Sequence, residues 1–298
     1  MTENWNKVKC IDVIAGLSEI SSESVDCVIA DPPYNIGYDF GNNKRKQDIK
    51  EYVNWCTQWV SECDRILKPS GTMFIYGFSE TLAHISVSME MEHRWLVWHY
   101  TNKTSPRLNF WQRSHESILC GWKNKSQRIF NRDNVREPYT EGFVRGFKGK
   151  GKTRPHSGGR CGTSEVTAYR VNDNGALPRD VLKVSSLAGG AGRREKISYC
   201  TRTDTAIMGH SEMKQHLDGN KEYENYIVKH PTQKPTELTK KLLLSCMPEC
   251  GKVVIPFAGT GSECLVAKNL GHKFIGFDLN EDYVKMANSI LQRKTEGQ

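Results

Sequence analysis

The sequence holds no run of ~18–20 unbroken apolar residues, so nothing in it reads as a bilayer crossing. Met1 to Lys9 carries Glu3, two asparagines and Trp5 instead of an apolar stretch, which excludes a signal peptide there. Ten cysteines are present, but without a C-x-x-C pair or regular spacing, so neither a disulfide ladder nor a cysteine zinc site is expected. Most lie in apolar runs such as Asp26-Cys27-Val28-Ile29, where a thiol acts as a small hydrophobe. His115-Glu116 has no second histidine near Cys120 to make H-E-x-x-H, so no metal is expected. A reduced, cytoplasmic chain without membrane contact follows.

What is present is basic charge, and it is localised. The net charge over 298 residues is +8. Residues 123–229 hold 21 Lys and Arg against 12 Asp and Glu, a surplus of nine, while the remainder holds 21 against 22. A patch of this kind implies a polyanionic partner, most often nucleic acid, although a solvated basic surface has the same composition. No acid falls between Glu141 and Glu165, whereas Arg145, Lys148, Lys150, Lys152, Arg154 and Arg160 do. Such a loop suits phosphate contacts. Gly146 to Thr153 spells a G-x-x-x-x-G-K-[ST] phosphate loop, but Arg154-Pro155-His156-Ser157-Gly158-Gly159 cannot open the helix that motif requires, so nucleotide hydrolysis is not expected.

Both ends of the chain alternate strand and helix. Val25–Ala30 is an apolar run stopped by proline, Glu51–Leu67 has an apolar face at helical spacing, and Thr72–Tyr76 reads as a strand. A helix over Glu80–Met91 and strands at Trp95–Tyr100 and Ser117–Trp122 follow. From about Asn124 to Lys229 the periodicity is lost. Order returns with helices at Pro235–Met247, Ser262–Leu270 and Glu281–Gln292 and strands at Lys252–Ile255 and Lys273–Phe277. The expected fold is α/β, a doubly wound, mostly parallel sheet, divided as 1–123, an inserted basic region 124–229, and 230–298.

Two motifs sit where such folds place chemistry. Phe257-Ala258-Gly259-Thr260-Gly261-Ser262 joins a strand to a helix, where glycines admit a ligand to the backbone and the helix offers unpaired N–H groups. Seventeen residues after Gly261 the next strand ends in Asp278, a position suited to ribose hydroxyls. A bare tight turn is the alternative. Asp31-Pro32-Pro33-Tyr34 places a carboxylate at a strand's end beside a corner that cannot become helix; a structural turn with a solvated Asp would look the same.

Together these motifs resemble the S-adenosylmethionine-dependent amino-group DNA methyltransferases, and their order, with Asp31-Pro32-Pro33-Tyr34 first and Phe257 to Gly261 last, resembles the permuted β class. His230-Pro231-Thr232-Gln233-Lys234-Pro235 is a further hallmark of that class, and Asp12, nineteen residues before Asp31, matches its cofactor-adenine position. The likeness covers residues 8–122 and 230–292, with one departure: Ile255 stands where members often carry an acid. The resemblance implies a Rossmann-like methyltransferase sheet with Asp31, Pro32, Pro33 and Tyr34 catalytic. Asp12, Thr232, Lys234, Phe257, Gly259, Gly261 and Asp278 would hold S-adenosylmethionine. The inserted region would be the target-recognition region, with Arg145, Lys148, Lys150, Lys152 and Arg154 on DNA phosphates. Double-stranded DNA is then the partner, with a homodimer and a cognate restriction endonuclease as further expectations. Phe110 and Trp111 either line the target-base pocket or serve the core. Methylation at adenine N6 is expected, because the tetrapeptide begins with Asp where cytosine-N4 enzymes more often have Ser. Carbon-5 methylation is disfavoured, since no Pro-Cys step is present. A cytosine-N4 enzyme, an RNA or protein methyltransferase and a non-catalytic binding module are the alternatives.

Overall fold

A computed structural model describes residues 5–37, 46–103, 109–147, 153–155, 168–170, 172–190, 192–218 and 221–293. Its elements begin with β1 (Lys7–Cys10), α1 (Val13–Ser18), β2 (Val25–Ala30), α2 (Ile49–Ile66), β3 (Leu67–Gly77), α3 (Ser79–Ser88), β4 (Glu92–His99) and β5 (His115–Trp122). The middle carries α4 (Glu141–Phe147), β6 (Thr153–Pro155), β7 (Ala168–Arg170), β8 (Val181–Lys183), α5 (Gly192–Glu195), β9 (Ile197–Cys200), β10 (Thr205–Met208), α6 (His210–Leu217) and β11 (Ile227–Lys229). The last part is α7 (Thr236–Cys246), β12 (Lys252–Ile255), α8 (Ser262–Asn269), β13 (Lys273–Asp278) and α9 (Glu281–Gln292).

The main sheet runs β1-β13-β12-β2-β3-β5-β4-β8. Its first five strands are parallel and β5 is antiparallel to both neighbours, so the expected doubly wound, mostly parallel sheet is present. Alternate residues of each central strand feed two apolar layers, as a period of two requires when both faces are covered. Val28, Ala30, Met73, Ile75, Val254 and Ile275 meet α1, α2 and α3 on one face. Cys27, Ile29, Phe74, Tyr76, Val253 and Phe274 meet α7, α8 and α9 on the other. The carboxyl ends of β2, β3, β12 and β13 and the start of β5 share one edge, where α/β sheets bind ligands.

The middle differs from expectation. The compact unit inside residues 124–229 is narrower, Asn131–Arg179, and 180–229 folds with the sheet body. There β8 pairs with β4, and β9 takes β10 and β11 as antiparallel neighbours. The small sheet is tied to α9, since the Ala206 N–H donates to Ser289 Oγ at 2.9 Å. Strands of three or four residues are too short for their periodicity to be read. Within Asn131–Arg179, β6 and β7 form an antiparallel pair and Tyr139 stacks on Phe143 at 4.5 Å. Among the described residues no helix is long and apolar enough to cross a membrane, and no three His, Cys, Asp or Glu are grouped to hold a metal. The described cysteines are unpaired; Cys246 packs beside Cys27 in the core, while Cys250, at φ +52, is exposed.

Candidate active site

Asp31 follows the six fully buried residues of β2 at the ligand-binding edge of the sheet. The Pro32-Pro33 corner cannot donate hydrogen bonds and is held from α2, whose Tyr52 hydroxyl donates to the Pro33 carbonyl at 2.9 Å. Just beyond it, Asn35 Nδ2 donates to the Gln47 carbonyl at 3.0 Å, and the Gln47 N–H returns a bond to Asn35 Oδ1 at 2.7 Å. The tetrapeptide is therefore braced on both sides.

Lys234, two residues before the start of α7, donates to Asp31 Oδ2 at 2.7 Å, and its Nζ lies 3.7 Å from Glu116 Oε2. Its side chain is only 4% exposed. Burial alone would favour the uncharged amine, but the Asp31 and Glu116 carboxylates outweigh it and hold the ammonium above its ordinary pKa. Among the described residues the other Asp31 oxygen, Oδ1, is buried with no hydrogen-bond partner. An orphaned buried acceptor costs about 1–3 kcal/mol, so its presence calls for a ligand donor.

The Tyr34 hydroxyl donates to Glu116 Oε2 at 3.0 Å, and its ring meets Phe78 edge-on at 5.0 Å. Burial first, then the Asp31 and Glu116 charges, push this phenol well above its usual pKa, so it remains a neutral donor. Arg113 lies over the far side of the assembly, 4.1 Å from the Phe78 ring centroid. Phe110 and Trp111, in the same loop, are 80% and 86% exposed, which excludes the core role for both.

The glycine loop forms the facing wall. Gly259 and Gly261 have φ of +47° and +77°, and a Cβ on Gly261 would stand 2.7 Å from that of Ala287. Asp278 anchors the loop: its Oδ2 accepts the Gly259 N–H and its Oδ1 the Asn280 N–H, each at 2.9 Å. Burial raises the Asp278 pKa against these backbone donors. Phe257 packs edge-on against Trp55 and Trp59 at 5.7 and 5.3 Å, which joins the loop to α2. Ile255, ending β12, is 1% exposed among apolar neighbours.

From His230 to Lys234 the chain is clamped by its neighbours. Gln233 accepts the Ile197 N–H and donates to the Glu195 carbonyl, each at 2.8 Å. His230 sits edge-on to Tyr283 at 4.8 Å; burial, then Lys234, lower its pKa to about 4, leaving it neutral at pH 7. Thr232 is exposed at the cavity wall. Asp12 lines the same cavity while capping α1, accepting the Ile14 and Ala15 N–H groups at 2.9 and 3.3 Å.

The cavity enclosed by these parts measures about 240 Å³ and brings together Asp12, Asp31, Tyr34, Thr232, Lys234 and Asp278 with the backbone of the glycine loop. Sequence reasoning missed two of its residues. Glu116 stood out only as a truncated zinc motif, and Glu263, one residue beyond the glycine motif, carried no signal at all. The structure buries both, at 9% and 5% exposure. Of the basic residues, Arg145 is exposed on α4 and 3.8 Å from Glu141, Arg154 is in β6, and Lys148, Lys150 and Lys152 lie outside the described residues.

A profile of the N6/N4 DNA methylases matches residues 25–289. The chain belongs to the DNA methylase family. The methylase is 26% identical over 293 residues to the type II methyltransferase M.HpaI of Haemophilus parainfluenzae, covering 97% of this chain and 74% of that protein. It is 28% identical over 294 residues to the DNA adenine methyltransferase YhdJ of Escherichia coli K12, covering 96% and 83%. Among solved structures, the cytosine-N4-specific PvuII DNA methyltransferase superposes with a TM-score of 0.64 at 15% identity, covering 99% and 92%. M1.HpyAVI, solved with S-adenosylmethionine, superposes at 0.57 and 17%, covering 96% and 99%. These two likenesses establish the Rossmann-like methyltransferase fold. The methylase is a DNA methyltransferase whose methyl donor is S-adenosylmethionine. Its cavity suits that donor: two positive-φ glycines leave backbone bare beside the Asp278 carboxylate, and the wall carries more carboxylates than ammonium groups.

Proposed function

We propose that the methylase transfers a methyl group to adenine N6 of a base extruded from duplex DNA at a specific sequence. The observation that carries this reading is the divided Asp31 carboxylate, with Oδ2 fixed by Lys234 and Oδ1 buried and unpartnered. An exocyclic amino group is a poor nucleophile because its lone pair is delocalised into the ring. Asp31 Oδ1 and the Pro32 carbonyl each accept one amino proton, which favours a pyramidal nitrogen and localises the lone pair. The Pro33 carbonyl is already taken by Tyr52, leaving the Pro32 oxygen for the substrate. Tyr34 offers its ring to the extruded base, since the target atom is inaccessible within the duplex. S-adenosylmethionine would supply the electrophilic methyl: the N–C bond forms as the S–CH3 bond breaks, the neutral thioether leaves, and the nitrogen's surplus proton passes by way of Asp31 to solvent. Catalysis is chiefly positioning and preorganised electrostatics.

Phe257, Gly259 and Gly261 would receive the methionine part of the donor, with Thr232 and Lys234 opposite, Asp278 at the ribose and Asp12 at the adenine. Adenine is favoured over cytosine by Asp at the head of the tetrapeptide and by the relative named an adenine methyltransferase. The test is transfer of labelled methyl to duplex DNA, RNA or protein, followed by digestion. N6-methyladenine from duplex DNA is expected; N4-methylcytosine would overturn the base assignment, label in RNA or protein the substrate class, and no label the catalytic reading.

The basic segment 124–229 is proposed as the target-recognition region, including the compact unit Asn131–Arg179. Arg145, Lys148, Lys150, Lys152 and Arg154 would contact phosphates. Changing Lys148, Lys150 and Lys152 together to Gln should weaken DNA binding and lower the slope of log affinity against log salt by about 2–3, while donor affinity is unchanged. Equilibrium binding at several salt concentrations measures both; an unchanged slope would move the phosphate contacts elsewhere. A cytoplasmic location, a homodimer and a paired endonuclease belong to the same reading.

A further inference from the structure

Glu263 is a buried acid that the transfer scheme leaves unused. It is the second residue of α8, 5% exposed, and it lines the donor cavity together with Asp31, Glu116, Lys234 and Asp278. Its Oε2 accepts the Ser262 hydroxyl at 2.7 Å, which fixes the carboxylate within the wall. The groups that act on it come from four elements: Asp31 at the end of β2, Lys234 before α7, Tyr76 on β3 and Cys264 on its own helix. Lys234 is already engaged by Asp31 and Glu116. Among the described residues the one cation that acts on Glu263 is thus Lys234, shared with two other carboxylates, and the donor is a cation at sulfur while the demethylated product is an uncharged thioether.

We propose that Glu263 is a positioning carboxylate that selects the sulfonium donor over the thioether product, with donor binding displacing a proton from Glu263 to solvent and product formation allowing one to return. Burial first, then the Asp31 charge, raise the free acid's pKa to about 7, so the exchange falls in the working pH range. The sign follows directly. A cation in the cavity lowers that pKa, so donor affinity is full above about 7 and falls as pH drops below it. Product affinity, lacking the charge, stays flat. His230, neutral down to about 4, cannot supply this dependence.

Calorimetric titration of the full chain with S-adenosylmethionine and with S-adenosylhomocysteine tests this. Between pH 6 and 7.5 the donor Kd should tighten about tenfold and the product Kd less than twofold, one pKa unit being a factor of ten. At pH 7, heats in two buffers of different ionisation enthalpy should show proton release with the donor and none with the product. Glu263→Gln should remove the pH dependence and cut the donor-to-product preference about tenfold at pH 7.5. Wild-type preference and pH dependence in Glu263→Gln would overturn the inference. If that variant does not fold, the wild-type proton count decides alone, and absence of proton release sinks it.

Discussion

Asp31→Ala is expected to reduce methyl transfer by about 10³-fold or more, the scale seen when a preorganised polar group at the reacting atom is removed, while the donor Kd changes little. The division of labour within the carboxylate is the reason. Oδ2 belongs to Lys234 and Oδ1 has no partner among the described residues, so under the proposed function the substrate amine loses its acceptor when the side chain goes. The glycine loop and Asp278, the proposed donor wall, are braced by their own hydrogen bonds and should persist. Asp31→Asn keeps the shape and a carbonyl acceptor, and should retain more activity than Ala. Labelled-methyl transfer and fluorescence titration of the donor separate the two effects. Loss of donor binding together with transfer would mean that Asp31 serves the donor instead of the amine.

Lys234→Met should destabilise the fold by about 3–5 kcal/mol, the range for breaking a buried ion pair by removing one partner. Lys234 is 4% exposed, and its loss leaves Asp31 and Glu116, at 16% and 11% side-chain exposure, facing one another without a cation. The carboxylates must then bind protons more readily in the folded than in the unfolded chain. The variant's deficit should therefore shrink as pH falls toward 5 and grow as it rises. Adding Asp31→Asn to Lys234→Met should restore part of the stability, and the double-mutant cycle reports their coupling. Urea unfolding at pH 5, 6.5 and 8 measures all three. A pH-independent loss would indicate simple packing of the lysine stem.

The site was legible where its logic is local. Asp31 before two prolines, glycines between a strand and a helix, and Asp278 at the next strand's end are constraints carried by a few adjacent residues, and the structure places them around one cavity. Lys234 was legible as a residue near that cavity but not as the partner of Asp31, an ion pair spanning 203 residues. Glu116 and Glu263 were illegible for the same reason. Glu116 acquires its meaning only when β5 enters antiparallel beside β3 and turns it toward Tyr34. Asp12 carries two roles at once, and spacing alone could not show that it also caps α1. In the fold, β1 (Lys-Val-Lys-Cys) escaped notice because two of its four residues are charged, and β9 to β11 because each is only three or four residues long.

The strand order has a consequence for how the chain must be made. β12 lies between β13 and β2, yet more than two hundred residues separate it from β2 in the chain. A ribosome that has released only the first half has produced β2, buried at every position in the finished protein, with one edge bare. Neither β1 nor β2 has a neighbour on that side until residues 252–278 emerge. Sheets closed by such distant pairing form slowly and leave apolar edges open to other chains meanwhile. Nascent or truncated forms ending before β12 are thus expected to need a chaperone or to aggregate, and the Asp31 carboxylate cannot face the glycine loop until residues 252–278 have emerged.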